Sequence, residues 1–162
     1  MRRWCLVPLA LAAAQPACAR DRLGMWNDWG AFRDSAVPRC YAIAMPIDMP
    51  GTRRETQGYV TVANWPRRGI RGEVHVRLSR TPAPGRPVSL TINGQKFPLT
   101  EAGIDAWAPD RRVDAAIIAA LRSNGEMAVT ASGRDGRPMR DAYHLAGAAS
   151  AMDAASLGCA GG

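Results

Sequence analysis

Six residues carry the strongest binding chemistry in this sequence: Arg53, Arg54, Trp65, Arg67, Arg68 and Arg71. Guanidinium groups grip phosphate or carboxylate oxygens in pairs, and an indole beside them adds a flat apolar face. Set on loops at neighbouring strand ends, the six make a candidate site for an anionic surface glycolipid, an acidic glycan or an envelope protein. The competing reading is a solvated loop whose arginines aid only solubility. Catalytic chemistry is harder to assemble. His75 and His144 are the only histidines, and the alternation around His75 turns its ring toward water. The chain holds no Gly-x-Ser-x-Gly elbow, no His-Glu-x-x-His, no Cys-x-x-Cys and no phosphate-cradling glycine loop. Asp135-Gly136 reads as a turn in preference to a calcium loop. A non-enzymatic protein without cofactor or metal is expected, a small hydrolase with unrecognised residues being the alternative.

Cysteine chemistry depends on how the chain begins. Met1-Arg2-Arg3, the apolar run from Trp4 to Ala14 and Ala17-Cys18-Ala19 follow the order of a secretory signal peptide cut after Ala19. The apolar run is short of the roughly 20 residues that cross a bilayer, so no transmembrane segment is expected in the mature chain. A lipidated Cys18 is a second possibility, with Gln15-Pro16-Ala17 a poor approach to it. Of four cysteines, Cys40 and Cys159 then remain in an oxidising compartment. There a lone pair is expected to join, two buried free thiols being the alternative. The formal charge of +7 falls when Arg2 and Arg3 leave. Basic residues other than Lys96 are arginines scattered along the chain, and no recognition motif for nucleic acid accompanies them.

The elements that would position these residues can be taken in order. Residues 20–38 form a leading segment in which Trp26, Trp29 and Phe32 pack onto the domain edge, and residues 39–162 form a single β-rich domain. Its first strand begins at Cys40, apolar on both faces and therefore internal. Gly58–Trp65 is a second strand. Glu73–Ser79 is a third, with Val74, Val76 and Leu78 inward. Asn93-Gly94 predicts a two-residue hairpin that places Val88, Leu90 and Ile92 opposite Leu99, Phe97 and Gln95. Pro98 then marks an edge, because its strand can spare a donor there. Asp110 or Pro109 opens a helix with Val113, Ile117 and Leu121 on its buried face, flanked by Ala116 and Ala120, and Gly125 follows its end. A last hairpin spans Glu126–Leu145, and a short alanine-rich helix returns Cys159 to the sheet. The expected fold is mainly antiparallel β, a β-sandwich or partly open barrel, with one packed α-helix and a short C-terminal helix.

Several segments also carry a resemblance. Trp26-Asn27-Asp28-Trp29-Gly30, Arg39-Cys40-Tyr41-Ala42-Ile43, Ala106-Trp107-Ala108 before Asp110, Ala116-Ile117-Ile118, and Tyr143-His144-Leu145-Ala146-Gly147-Ala148 leading to Cys159 together resemble the invasion-associated locus B family of exported bacterial proteins. The resemblance spans nearly the whole chain after the leader. It implies a periplasmic, secreted or surface-associated β-rich domain of a Gram-negative envelope, in a family whose named member is linked to host-cell invasion. An early cysteine present near Phe32 in many members is absent here, so no second disulfide follows. The resemblance supplies no catalytic residue. Function is then expected to be that of an exported envelope protein that binds a partner or anionic component, or else of a periplasmic structural accessory to an outer-membrane partner.

Overall fold

The computed structural model describes residues 20–51 and 54–160, so the leader read at residues 1–19 lies outside the described residues. The Asn93-Gly94 turn forms as its chemistry requires, both residues having positive φ, 46° and 85°. It joins β6 (Val88–Ile92) to β7 (Gln95–Ala102) and sets Ile92 opposite Gln95, Leu90 opposite Phe97 and Val88 opposite Leu99, the expected register. On the other side of β7 the three-residue β8 (Asp105–Trp107) pairs only with Thr100–Ala102, so Pro98 does lie at a free stretch of edge.

Ten strands make one antiparallel sheet. β1 (Asp21–Trp26), β2 (Trp29–Asp34), β3 (Arg39–Ala44), β4 (Tyr59–Trp65) and β5 (Ile70–Arg77) follow one another side by side. Beyond β5 come β8, β7, β6, β9 (Glu126–Ser132) and β10 (Pro138–His144). The sheet is a single open, curled half-barrel, where a two-layer sandwich was one expectation. Helices supply the second layer that a facing sheet would have provided. α1 (Arg111–Leu121) packs on β5 and α2 (Ala148–Gly158) packs across β1 to β4.

The leading segment forms the first hairpin of the sheet, with β1 as the edge strand, so the Cys40 strand is internal between β2 and β4 as expected but third in order, where it was expected to be first. Trp29 is wholly buried, and its indole N–H donates to the His144 carbonyl at 2.8 Å. The Ile47 N–H donates to the Ala142 carbonyl at 2.8 Å, beyond the end of β3. These bonds draw the first strands of the curl toward β10 without forming a ladder.

The inner face collects Trp29, Ala31, Cys40, Ala42, Val60, Val62, Val74, Val76, Leu90 and Val129, all buried. The small side chains on β3 let α2 approach closely. Cys40 is bonded to Cys159, just past α2, with Cα atoms 5.8 Å apart. Asp110 caps α1 by accepting from the Arg112 and Val113 N–H groups. Ile117 and Leu121 are fully buried under it, whereas Ala116 is exposed and outside the expected stripe. Asp114 staples the helix to the sheet by accepting the Val74 N–H at 2.8 Å. Burial pushes the Asp114 carboxyl up, and that hydrogen bond offsets part of the rise. Ile117→Ala is expected to lower the unfolding free energy by about 3 kcal/mol in urea titrations. A loss below about 1 kcal/mol would show that α1 carries little of the core's stability.

One polar cluster is buried on the inner face as well. Asp141, 1% exposed, accepts the Ser79 N–H at 2.9 Å and the Ser79 hydroxyl at 2.5 Å. The Tyr143 hydroxyl lies buried nearby with no hydrogen-bond partner among the described residues, and burial followed by the Asp141 charge pushes its phenol up.

Candidate functional site

The β4–β5 turn positions most of the expected arginine and tryptophan cluster. Trp65 ends β4, Pro66–Arg68 forms a 3-10 turn closed by Gly69 in the left-handed conformation, and Ile70 opens β5. Arg67, Arg68 and Arg71 are exposed and make no salt bridge among the described residues. Trp65 is half-buried, its indole N–H donating to Glu73 Oε1 at 2.9 Å. Two guanidinium groups stand over its ring, each 5.3 Å from the ring centre: that of Arg68 and that of Arg39. Cation–π attraction therefore holds both arginines against the indole.

Arg54 does not belong to this group. It precedes β4 at the end opposite Trp65, about 20 Å away along the strand. There its guanidinium donates to the Pro46 and Ile47 carbonyls and pairs with Asp48. Arg54 is a brace for the turn after β3, and its side chain is only 21% exposed. Arg53 lies outside the described residues.

Arg39, in contrast, joins the cluster although the sequence reading passed over it. β3 runs antiparallel to β4 with Cys40 opposite Asn64, which brings Arg39 beside Trp65. Its guanidinium also stands 4.6 Å from the centre of the Tyr41 ring, and Tyr41 stacks on Phe32 at 5.8 Å. Phe32, Tyr41, Arg39, Trp65 and Arg68 thus form one row across the outer face of the sheet. The signal lay in pairing the two strands, which aligns Arg39-Cys40-Tyr41 with Ala63-Asn64-Trp65.

A second row corrects the reading of His75 as water-facing. His75 is half-buried, stacked on Trp107 at 4.9 Å and edge-on to Tyr59 at 5.6 Å. Its Nε2 lies 2.9 Å from Asp105 Oδ1, and Arg77 binds the same carboxylate through two nitrogens at 2.9 and 2.7 Å. Burial alone would raise the Asp105 carboxyl, but the Arg77 and His75 hydrogen bonds outweigh it and hold the group below its ordinary range.

On the inner side of the same β4–β5 turn lies a cleft of about 510 Å³ between α1 and α2. Val62, Asn64, Ile70 and Gly72 line it from the sheet, Ile118 and Arg122 from the α1 side, and Met152, Ser156 and Cys159 from the α2 side. Gly72 has φ 73°, and a Cβ there would sit 2.5 Å from Ile118 Cδ1. The backbone thus passes close beneath the α1 side chain because this position carries no side chain of its own. Arg71 lines the cleft while remaining exposed, so one residue belongs to both the basic corner and the cleft.

No group of three or more acidic, histidine or cysteine side chains among the described residues is arranged to hold a metal ion. Likewise, no helix among them is long and apolar enough to cross a membrane. Comparison with family models, with curated proteins and with solved structures finds no match.

Proposed function

We propose that this protein is a non-enzymatic envelope protein, exported to the periplasm or the cell exterior, that binds an anionic surface component through the corner at Arg67, Arg68 and Arg71. One observation carries the reading: Arg67 and Arg68 in the β4–β5 turn and Arg71 at the start of β5 are all exposed and without a carboxylate partner among the described residues. Arginine forks left open in this way suit paired oxygens of phosphate or carboxylate. The basic, apolar and Ala-x-Ala leader supports export, and the Cys40–Cys159 bond fits an oxidising compartment. The likeness to the invasion-associated locus B family agrees with that location. A binding role is also favoured over hydrolysis by the packing of His75, whose ring is covered by Tyr59 and Trp107.

The triple substitution Arg67→Ser, Arg68→Ser, Arg71→Ser tests the proposal. Retention of the oxidised protein on heparin and on vesicles containing anionic lipid should fall, with elution at clearly lower salt, while the melting temperature stays within a few degrees. Unchanged salt elution would remove the corner from the binding surface.

A further inference from the structure

The cleft between α1 and α2 differs in character from the exposed corner it adjoins. Its volume of about 510 Å³ lies within the range of small-molecule sites. Val62, Ile70, Ile118 and Met152 contribute apolar wall, and the exposed Arg71 is part of the same lining. A second cation, Arg122, lines it too, but is tied at 2.7 Å to Asp153 on α2. Two of its polar side chains are already engaged. Asn64 Oδ1 accepts the Gly72 N–H, and the Ser156 hydroxyl donates to the Met152 carbonyl.

Those facts select a ligand class. A sugar would need several free hydrogen-bonding groups, whereas the Asn64, Ser156 and Arg122 side chains are already paired and more of the wall surface is apolar than polar. Inorganic phosphate alone would satisfy Arg71 but leave that apolar surface facing water. A molecule with one hydrocarbon chain and one acidic head meets both requirements, because the chain displaces water from the walls while the head pairs with the exposed Arg71. We infer that the cleft between the two helices binds a single-chain anionic amphiphile, its chain along Ile70, Ile118 and Met152 and its carboxylate or phosphate on Arg71. This rests on the anion-binding reading of Arg71 and extends it to a specific ligand class.

The test is titration calorimetry of the full oxidised chain with dodecanoate and dodecyl phosphate below micelle formation, with dodecyltrimethylammonium and inorganic phosphate as comparison probes. Saturable binding of either dodecyl anion is expected, with dodecyltrimethylammonium and inorganic phosphate at least about tenfold weaker. Saturation by the carboxylate alone, the phosphate alone or both identifies the head group. Ser156→Phe, which places a ring in the cleft from an exposed position on α2, should abolish amphiphile binding and leave heparin retention unchanged. Arg71→Glu, at an exposed position safe for folding, should weaken the dodecyl anions at least about tenfold and reverse the preference toward the cationic chain. The inference is overturned if neither dodecyl anion saturates, if the cationic chain binds the native protein equally well, or if both variants bind the anions unchanged. Arginine-dependent heparin retention in a protein that binds neither dodecyl anion would reject the cleft ligand while leaving the basic corner intact.

Discussion

Replacing Cys40 and Cys159 together by alanine is expected to lower the free energy of unfolding by about 5 kcal/mol. The bond joins positions 119 residues apart. Releasing a loop of that length restores much conformational freedom to the unfolded chain, and this is the origin of the estimate. Cys40 is also fully buried beneath α2, so losing its sulfur adds a small packing deficit. Since domains of this size are stable by only about 5–15 kcal/mol, the double variant should melt far lower or fail to accumulate folded at 37 °C. Urea titration of the oxidised protein, the double variant and the reduced native protein would separate the effects. Reduction should reproduce most of the loss. A difference under about 1 kcal/mol between oxidised and reduced forms would mean that α2 holds its place without the bond.

Trp29→Ala is the second large effect, at roughly 3–5 kcal/mol. The ring is completely buried and its N–H reaches across to the His144 carbonyl, so one side chain both fills the core and draws β2 toward β10. Trp29→Phe separates the two contributions. Phenylalanine keeps much of the apolar volume and removes the donor, and should cost about 1–2 kcal/mol. Hydrogen exchange would locate the damage, with protection lost first in the β1–β2 hairpin and at the end of β10. Equal losses in the two variants would assign the stabilisation to the hydrogen bond in place of the packing.

Local chemistry made several elements readable from residue order. The register of β6 and β7 follows from Asn93-Gly94 and the alternation on either side. The α1 helix announces itself through Asp110 and the spacing of Ile117 and Leu121. The hairpin of β1 and β2 was hidden, because Gly24 and Gly30 interrupt its alternation and Asn27-Asp28 is a weaker turn signal than Asn-Gly. β8 is only three residues long, too short for any period, yet it supplies the Trp107 and Asp105 that cover and bind His75. Alternation told which face His75 occupies, but the groups enclosing it come from other strands. The same limit explains the candidate site. Trp65, Arg67, Arg68 and Arg71 lie in or directly beside one turn and are legible together, whereas Arg54 is misplaced because nearness along the chain is undone by the length of β4. Arg39 and the cleft required strand pairing and helix placement. The choice between a sandwich and a curled sheet rested on the same unknown, since an apolar inner face accepts either another sheet or helices.

The crosslink also determines how the molecule would respond to tension. Force applied at Arg20 and Ala160 would pass through the sulfur atoms near both grips, and the chain from Tyr41 to Gly158 would hang outside the loaded path. Only the stretch before Cys40 could be peeled away, giving an extension of about 70 Å at most. The helical lid, the basic corner and most of the sheet would remain slack, mechanically insulated for as long as the bond survives.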